Sequence, residues 1–227
     1  MSATNFDRFS NNYKDLLDRS IAVSGEGSAY FSGYKARYIA RTAGENFRGK
    51  ILDYGCGVGL LSCLMKKHLP KAIVHGYDPS AESIKMVPPN FASEGIFSND
   101  ISCLHYDYEL AIISNVMHHV PPQERQQTIS EIANRLAIGG RLVLFEHNPL
   151  NPLTQWVVKH CPFDDDAILL SPGEARRYLS AAKLAVLRRD YIVFFPRMLS
   201  LLRPLEPMLG WLPAGGQYVM VGEKYGQ

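Results

Sequence analysis

Apolar positions along the chain change period twice. Between residues 4 and 20, Phe6, Phe9, Tyr13, Leu16 and Leu17 recur at helical spacing and predict one apolar face on a polar helix. Residues 24–32 (SGEGSAYFS) read as a flexible connection, and residues 33–43 as a second helix carrying Tyr34, Tyr38 and Ile39. From Lys50 onward, short apolar runs alternate with helical stretches, the pattern of βαβ units around a parallel sheet. Strands are predicted at 51–54, 73–78, 96–98, 110–114 and 141–147, and 185–195 and 217–223 bring the sheet to seven. Pro121 or Pro122 opens a helix whose core face is Ile129, Ile132, Ala133 and Leu136, and Gly139–Gly140 closes it. Ser171 with Glu174 is a capping-box start for another. Two stretches fit this alternation poorly: 148–170, a long Pro-containing connection, and 196–213, apolar but broken by prolines. Both are expected to act as lids.

The expected architecture is a doubly wound α/β fold, with a mostly parallel seven-stranded sheet and an N-terminal helical cap. A length of 227 residues suits one such domain, divided into a cap (1–47), a central core (48–147) and a lid-bearing half (148–227). Basic and acidic residues, 24 and 22, are interspersed without a Lys/Arg block, so no nucleic-acid partner is expected. Cys56, Cys63, Cys103 and Cys161 lie far apart without metal-type spacing, and the first ten residues lack the apolar core of a secretion signal. Reduced thiols in a cytoplasm are therefore expected. No apolar run approaches the roughly 20 residues that span a bilayer.

The chemistry concentrates in residues 51–62, ILDYGCGVGLLS, where an apolar strand runs into Asp53, then Gly55, Gly57 and Gly59, then a helix. Glycines let the backbone turn tightly and approach a ligand, and the following helix N-terminus favours negative or polar groups. A second strand ends in Asp78, placed to accept hydrogen bonds from a ribose diol. The dinucleotide fingerprint G-x-G-x-x-G is not met, since its third glycine falls on Leu60.

The DYGCGVG and GYDPS segments resemble motif I and the following acidic position of class I S-adenosylmethionine-dependent methyltransferases. SNVMHHVPP and LAIGGRLVLFEH resemble the fourth-strand and fifth-strand segments of the small-molecule members, so the likeness covers about residues 48–147. The resemblance implies that S-adenosylmethionine is the methyl donor. It gives Asp53 the Gly-rich loop and the methionine amino group, and gives backbone contact to Gly55, Cys56, Gly57 and Gly59. Asp78, followed by Pro79, would take the ribose, and Asp100 with Ile101 the adenine. Asn115 and Met117 would lie near the transferring methyl, and Tyr13 would close over the cofactor.

Methyl transfer from a sulfonium needs alignment and exclusion of water above all, and a base where the acceptor is a hydroxyl. Candidate bases at the strand ends are His118, His119, Glu146 and His147; each also reads as a structural or wall-forming group. Asp164, Asp165 and Asp166 read as a solvated loop or helix cap rather than ligands of Mg2+, and no metal is expected. The expected reaction is O-methylation of a small, partly apolar acceptor, such as a natural-product or glycoconjugate precursor in bacterial biosynthesis. N- or C-methylation is the first alternative, followed by an NAD-dependent oxidoreductase or a non-catalytic cofactor-binding protein. The stretch 196–213 is expected to fold back on the core or to meet an apolar acceptor, a membrane surface or a second subunit.

Overall fold

A computed structural model describes residues 21–44, 46–161 and 164–226. The helix expected at 4–20, with Tyr13, lies outside the described residues. Seven strands form one sheet: β1 (Lys50–Tyr54), β2 (Ile73–Tyr77), β3 (Phe97–Ser98), β4 (Tyr108–Ser114), β5 (Leu136–His147), β6 (Leu184–Ile192) and β7 (Gln217–Lys224). Their order is β3-β2-β1-β4-β5-β7-β6. The first five run parallel, whereas β7 is antiparallel to both β5 and β6. Progress along the chain moves outward from β1 to β3, then reverses to β4 and β5. The crevice beyond the carboxyl ends of β1 and β4 is where such sheets bind ligands.

Helices cover both faces, so the central strands read as continuous apolar runs. On one face α1 (Ser28–Ala43) and α2 (Leu60–His68) set Ala36, Ile39, Leu61 and Met65 against Ile51, Ile112, Val143 and Phe145. Short helices α3 (Ala81–Lys85) and α4 (Pro89–Ala92) follow β2. On the other face α5 (Arg125–Arg135) and α7 (Pro172–Ala181) set Ile129, Ile132, Ala175 and Leu179 against Leu52, Ala111, Leu142 and Leu144. Ser171 and Glu174 form the expected capping box of α7.

Several boundaries differ from the sequence reading, each for a local reason. Residues 28–32 belong to α1, because Gly27 is extended and serves as its N-cap, and the helix runs on through Gly33. Leu136 is already extended, so α5 runs straight into β5 and the Gly139–Gly140 pair lies within the strand. The β4–β5 register shifts there, between Tyr108 and Leu110. A Cβ on Gly140 would sit 2.7 Å from the Tyr108 carbonyl oxygen, which accounts for glycine.

The connection 148–170 contains a further helix, α6 (Pro152–Lys159), started by the Asn151 side chain accepting from Thr154 N–H with Pro152 at the first position. Residues 197–208 are a 3-10 segment. Buried Glu206 tethers it by accepting from Phe194 N–H and Phe195 N–H, both at 3.1 Å, and Arg203 pairs with Glu26 at 2.9 Å. The segment is thus anchored while Met198, Leu201, Met208 and Trp211 face outward. No helix among the described residues is long and apolar enough to cross a membrane.

Candidate active site

The crevice at the sheet reversal opens into a cavity of about 540 Å3. Such a volume suits a small molecule. One end is built by β1 and its loop. Strand alternation aims Asp53 at the face covered by α1 and α2. There its carboxylate accepts from Ser62 Oγ. Burial pushes the Asp53 carboxyl up to about 6, against the opposing effect of the Ser62 hydrogen bond. Lys35, on the buried face of α1, donates from Nζ to Ser114 Oγ at 2.8 Å, and burial draws its ammonium down to about 8. The Gly-rich loop is locked to β2: Gly55 N–H and Cys56 N–H donate to the Tyr77 carbonyl at 2.7 and 2.9 Å, and Gly57 N–H donates to Asp78 Oδ2 at 2.8 Å.

The other end is histidine-rich. Glu146, fully buried, accepts from Val116 N–H at 3.1 Å and Met117 N–H at 2.7 Å, and its second oxygen lies 2.6 Å from His118 Nδ1. His118 Nε2 lies 3.5 Å from Asp164 Oδ1, and His119 Nε2 is 3.4 Å from the same oxygen. The Ile168 N–H donates to the His118 carbonyl at 2.9 Å, which pins the aspartate-bearing loop over β4. Burial alone would lower the His118 pKa, but Glu146 and Asp164 outweigh it and hold the ring up to about 9. Burial tends to raise Glu146, and the adjacent imidazolium overcomes this and draws it down. Burial together with the His118 charge lowers His119 to about 4 and His147 to about 3, so both rings are neutral.

Of the residues singled out from sequence, Asp53, Gly55, Cys56, Gly57, Asp78, Pro79, Asn115, His118, His119 and His147 all line this cavity. Gly59, Met117, Asp100, Ile101 and Glu146 do not. Gly59 is turned away as the left-handed N-cap of α2. Met117 is sealed in the core on the α5 side. Asp100 folds back to accept from Ser102 N–H and starts a short 3-10 turn, while Ile101 packs on that same core. Glu146 and His147 cannot both face the cavity, because adjacent strand residues point to opposite faces. His147 takes the cavity side.

Lys35, Ser62, Ser114 and Asp164 are additions to the sequence-derived set. Lys35 had a readable signal, since it stands at helical spacing with Tyr38 and Ile39 on a face that must be buried. Asp164 stood out only as part of the Asp164–Asp166 run read as a solvated loop; its approach to His118 spans 46 residues and depends on the loop's path.

Residues 29–191 match a protein family described as a methyltransferase domain. A ubiquinone/menaquinone biosynthesis C-methyltransferase of Desulfotalea psychrophila is 23% identical over 202 residues, 81% of this chain and 78% of that protein. A ribosomal RNA small subunit methyltransferase C of Yersinia enterocolitica is 32% identical over 137 residues, 56% of this chain but only 39% of that protein. Among solved structures, magnesium protoporphyrin IX methyltransferase of Synechocystis with bound S-adenosylhomocysteine superposes with a TM-score of 0.67 at 18% identity, covering 98% of this chain and 95% of that one.

Proposed function

The chain belongs to the methyltransferase-domain family and is a class I S-adenosylmethionine-dependent methyltransferase, and from that premise we propose that it methylates an oxygen of a small, partly apolar acceptor held at the histidine end of the cavity. A single observation carries this reading: one cavity joins the Asp53–Gly57–Asp78 end to His118, His119 and His147. The carboxylates fit the donor's cationic and diol groups. Asp53 would face the methionine ammonium, Lys35 its carboxylate, and Asp78 the ribose hydroxyls. Residues 48–147, with Lys35 of α1, would hold the donor, while 148–227 would enclose the acceptor against His118, His119 and His147.

S-adenosylmethionine, when bound, supplies a sulfonium methyl open to in-line attack. An acceptor oxygen bonding to that carbon would displace sulfur, which would keep the electron pair of the carbon–sulfur bond. The acceptor proton passes to His119 or His147, neutral imidazoles that line the cavity. Glu146 acts through His118 and the Val116–Met117 backbone, so it is a positioning residue. Alignment and exclusion of water supply most of the acceleration, and a positioned base adds about 10²–10⁴-fold. Leu153, Phe194 and Phe195 on the cavity wall support an acceptor with an apolar body. The relative named for ubiquinone/menaquinone biosynthesis supports a small-molecule acceptor. A membrane surface meeting the outward apolar side chains of 197–211 would present such an acceptor.

The experiment is a panel of phenols, sugar hydroxyls, amines and activated ring carbons with purified protein and labelled donor, reading label transfer and S-adenosylhomocysteine release together. Hydroxyl methylation that falls at least about 10²-fold in the His119→Ala/His147→Ala double variant is expected. Transfer only to amines or carbon, or full turnover in the double variant, contradicts the base-assisted reading.

A further inference from the structure

The histidine end is more elaborate than a proton acceptor requires. One donor atom from each of His118, His147 and Asp164 lies within 4.8 Å of the other two, and all three residues line the cavity. The His118 and His147 rings are 4.9 Å apart between centroids. Glu146 Oε2, 2.6 Å from His118 Nδ1, directs the opposite nitrogen, Nε2, toward Asp164. A carboxylate behind the far nitrogen is the support that orients metal-ligating histidines. Among the described residues, neither ring nitrogen of His147 has a hydrogen-bond partner, although the ring is largely enclosed and faces the cavity. The ion pairs of Glu146 and Asp164 within the described residues are with histidines alone. Glu146 behind the cavity wall and Asp164 on it are thus balanced by imidazoles, groups that can exchange a proton for a metal ion.

We propose that His118 Nε2, His147 and Asp164 bind one divalent first-row metal ion at the acceptor end of the cavity, with Glu146 as the outer support of His118. Two imidazoles and one carboxylate suit Zn2+, Co2+, Fe2+ or Mn2+ better than Mg2+, which prefers an all-oxygen shell. Ligand atoms about a tetrahedral ion stand roughly 3.3–3.6 Å apart. Side-chain rotation of Asp164, on the connection between α6 and α7, closes the remaining gap. Open coordination positions face the cavity, where an acceptor oxygen would occupy them. This inference rests on the acceptor-site reading above and sharpens it: the acceptor class becomes one with an oxygen able to ligate a metal, and His119 remains as the neighbouring proton acceptor.

The test strips the protein with a chelator and titrates it with Zn2+ by calorimetry and with Co2+ by visible absorption. Wild type, His147→Ala and Asp164→Asn are compared, each with S-adenosylmethionine affinity as a control. One Zn2+ per chain at micromolar affinity or tighter is expected, weakened at least about tenfold in each variant, with donor affinity retained. In wild-type protein, histidine-ring NMR would show His118 and His147 shifting on Zn2+ addition and His75 unmoved, a readout that needs no variant. Absence of saturable binding, unchanged affinity in both variants, or shifts confined to other histidines overturns the site. Because donor binding is read separately, its presence without metal binding defeats this inference and leaves the methyl-transfer reading standing.

Discussion

Gly55→Ala is expected to abolish measurable binding of S-adenosylmethionine and to lower the melting temperature by roughly 5–15 °C. Two independent causes act at that position. Gly55 has φ +77°, where an L-residue is strained by roughly 1–2 kcal/mol. A Cβ there would also sit 2.3 Å from Val116 Cγ2, and overpacking of a tight site costs about 1–3 kcal/mol. Neither cause is easily relieved. The Gly55 N–H is fixed to the Tyr77 carbonyl, and Val116 N–H is fixed to Glu146, so strand end and loop are held from both sides. Adding Val116→Ala to Gly55→Ala separates the two, since it removes the clash and leaves the strain. Thermal melts and calorimetry of the pair are expected to recover about half of the lost stability and part of the binding. Wild-type affinity in Gly55→Ala alone would show that the loop does not cradle the donor.

Glu146→Gln is the second. Glu146 is fully buried, accepts two backbone N–H groups, and balances the His118 charge. Removing one partner of a buried pair leaves an uncompensated charge and costs about 3–5 kcal/mol. For a chain of this size that lowers the melting temperature by roughly 6–20 °C. Because Glu146 lies outside the cavity, affinity for S-adenosylmethionine is expected to stay within about twofold of wild type in the folded fraction. Adding His118→Asn removes the stranded charge, so the double variant is expected to be more stable than Glu146→Gln alone. Additive losses in that cycle would show that the two side chains do not form a coupled pair.

The sequence carried the parts of this site that follow from local rules. The Asp53–Gly59 run and the strand end at Asp78 were readable because a tight turn after an apolar strand demands glycines in order, and Asp53 through Val58 lie with Asp78 around one cavity. The seven strands were readable from apolar runs, with errors at their ends. Gly139–Gly140 looked like a helix stop because a glycine pair does not say whether it ends a helix or relieves a crowded strand. The start of α6 carried both an Asn cap and a Pro at its first position, yet Asn-Pro reads equally well as a turn. Long-range facts were not readable. Whether Glu146 or His147 faces the ligand depends on the phase of β5 relative to its covering helices, and one residue reverses the answer. Asp100 was expected at the adenine from the resemblance; after the short β3 its side chain caps its own 3-10 turn, and it does not line the cavity. The pairing of Asp164 with His118 is purely tertiary.

Calorimetric titration of the purified protein with S-adenosylmethionine, at about pH 8 and about pH 5 and with Asp78→Ala beside wild type, tests the central claim most directly. Asp53 has its carboxyl pushed up to about 6 by burial, so it is ionised at the higher pH and mostly protonated at the lower. If the ionised form alone pairs with the donor's ammonium, affinity falls as pH drops through 6, by about tenfold at pH 5. The account predicts one site per chain, that loss at acid pH, and a further loss of at least about tenfold in Asp78→Ala, which removes both the ribose acceptor and the Gly57 anchor. No binding by the folded wild-type protein, or equal binding by Asp78→Ala, would contradict it.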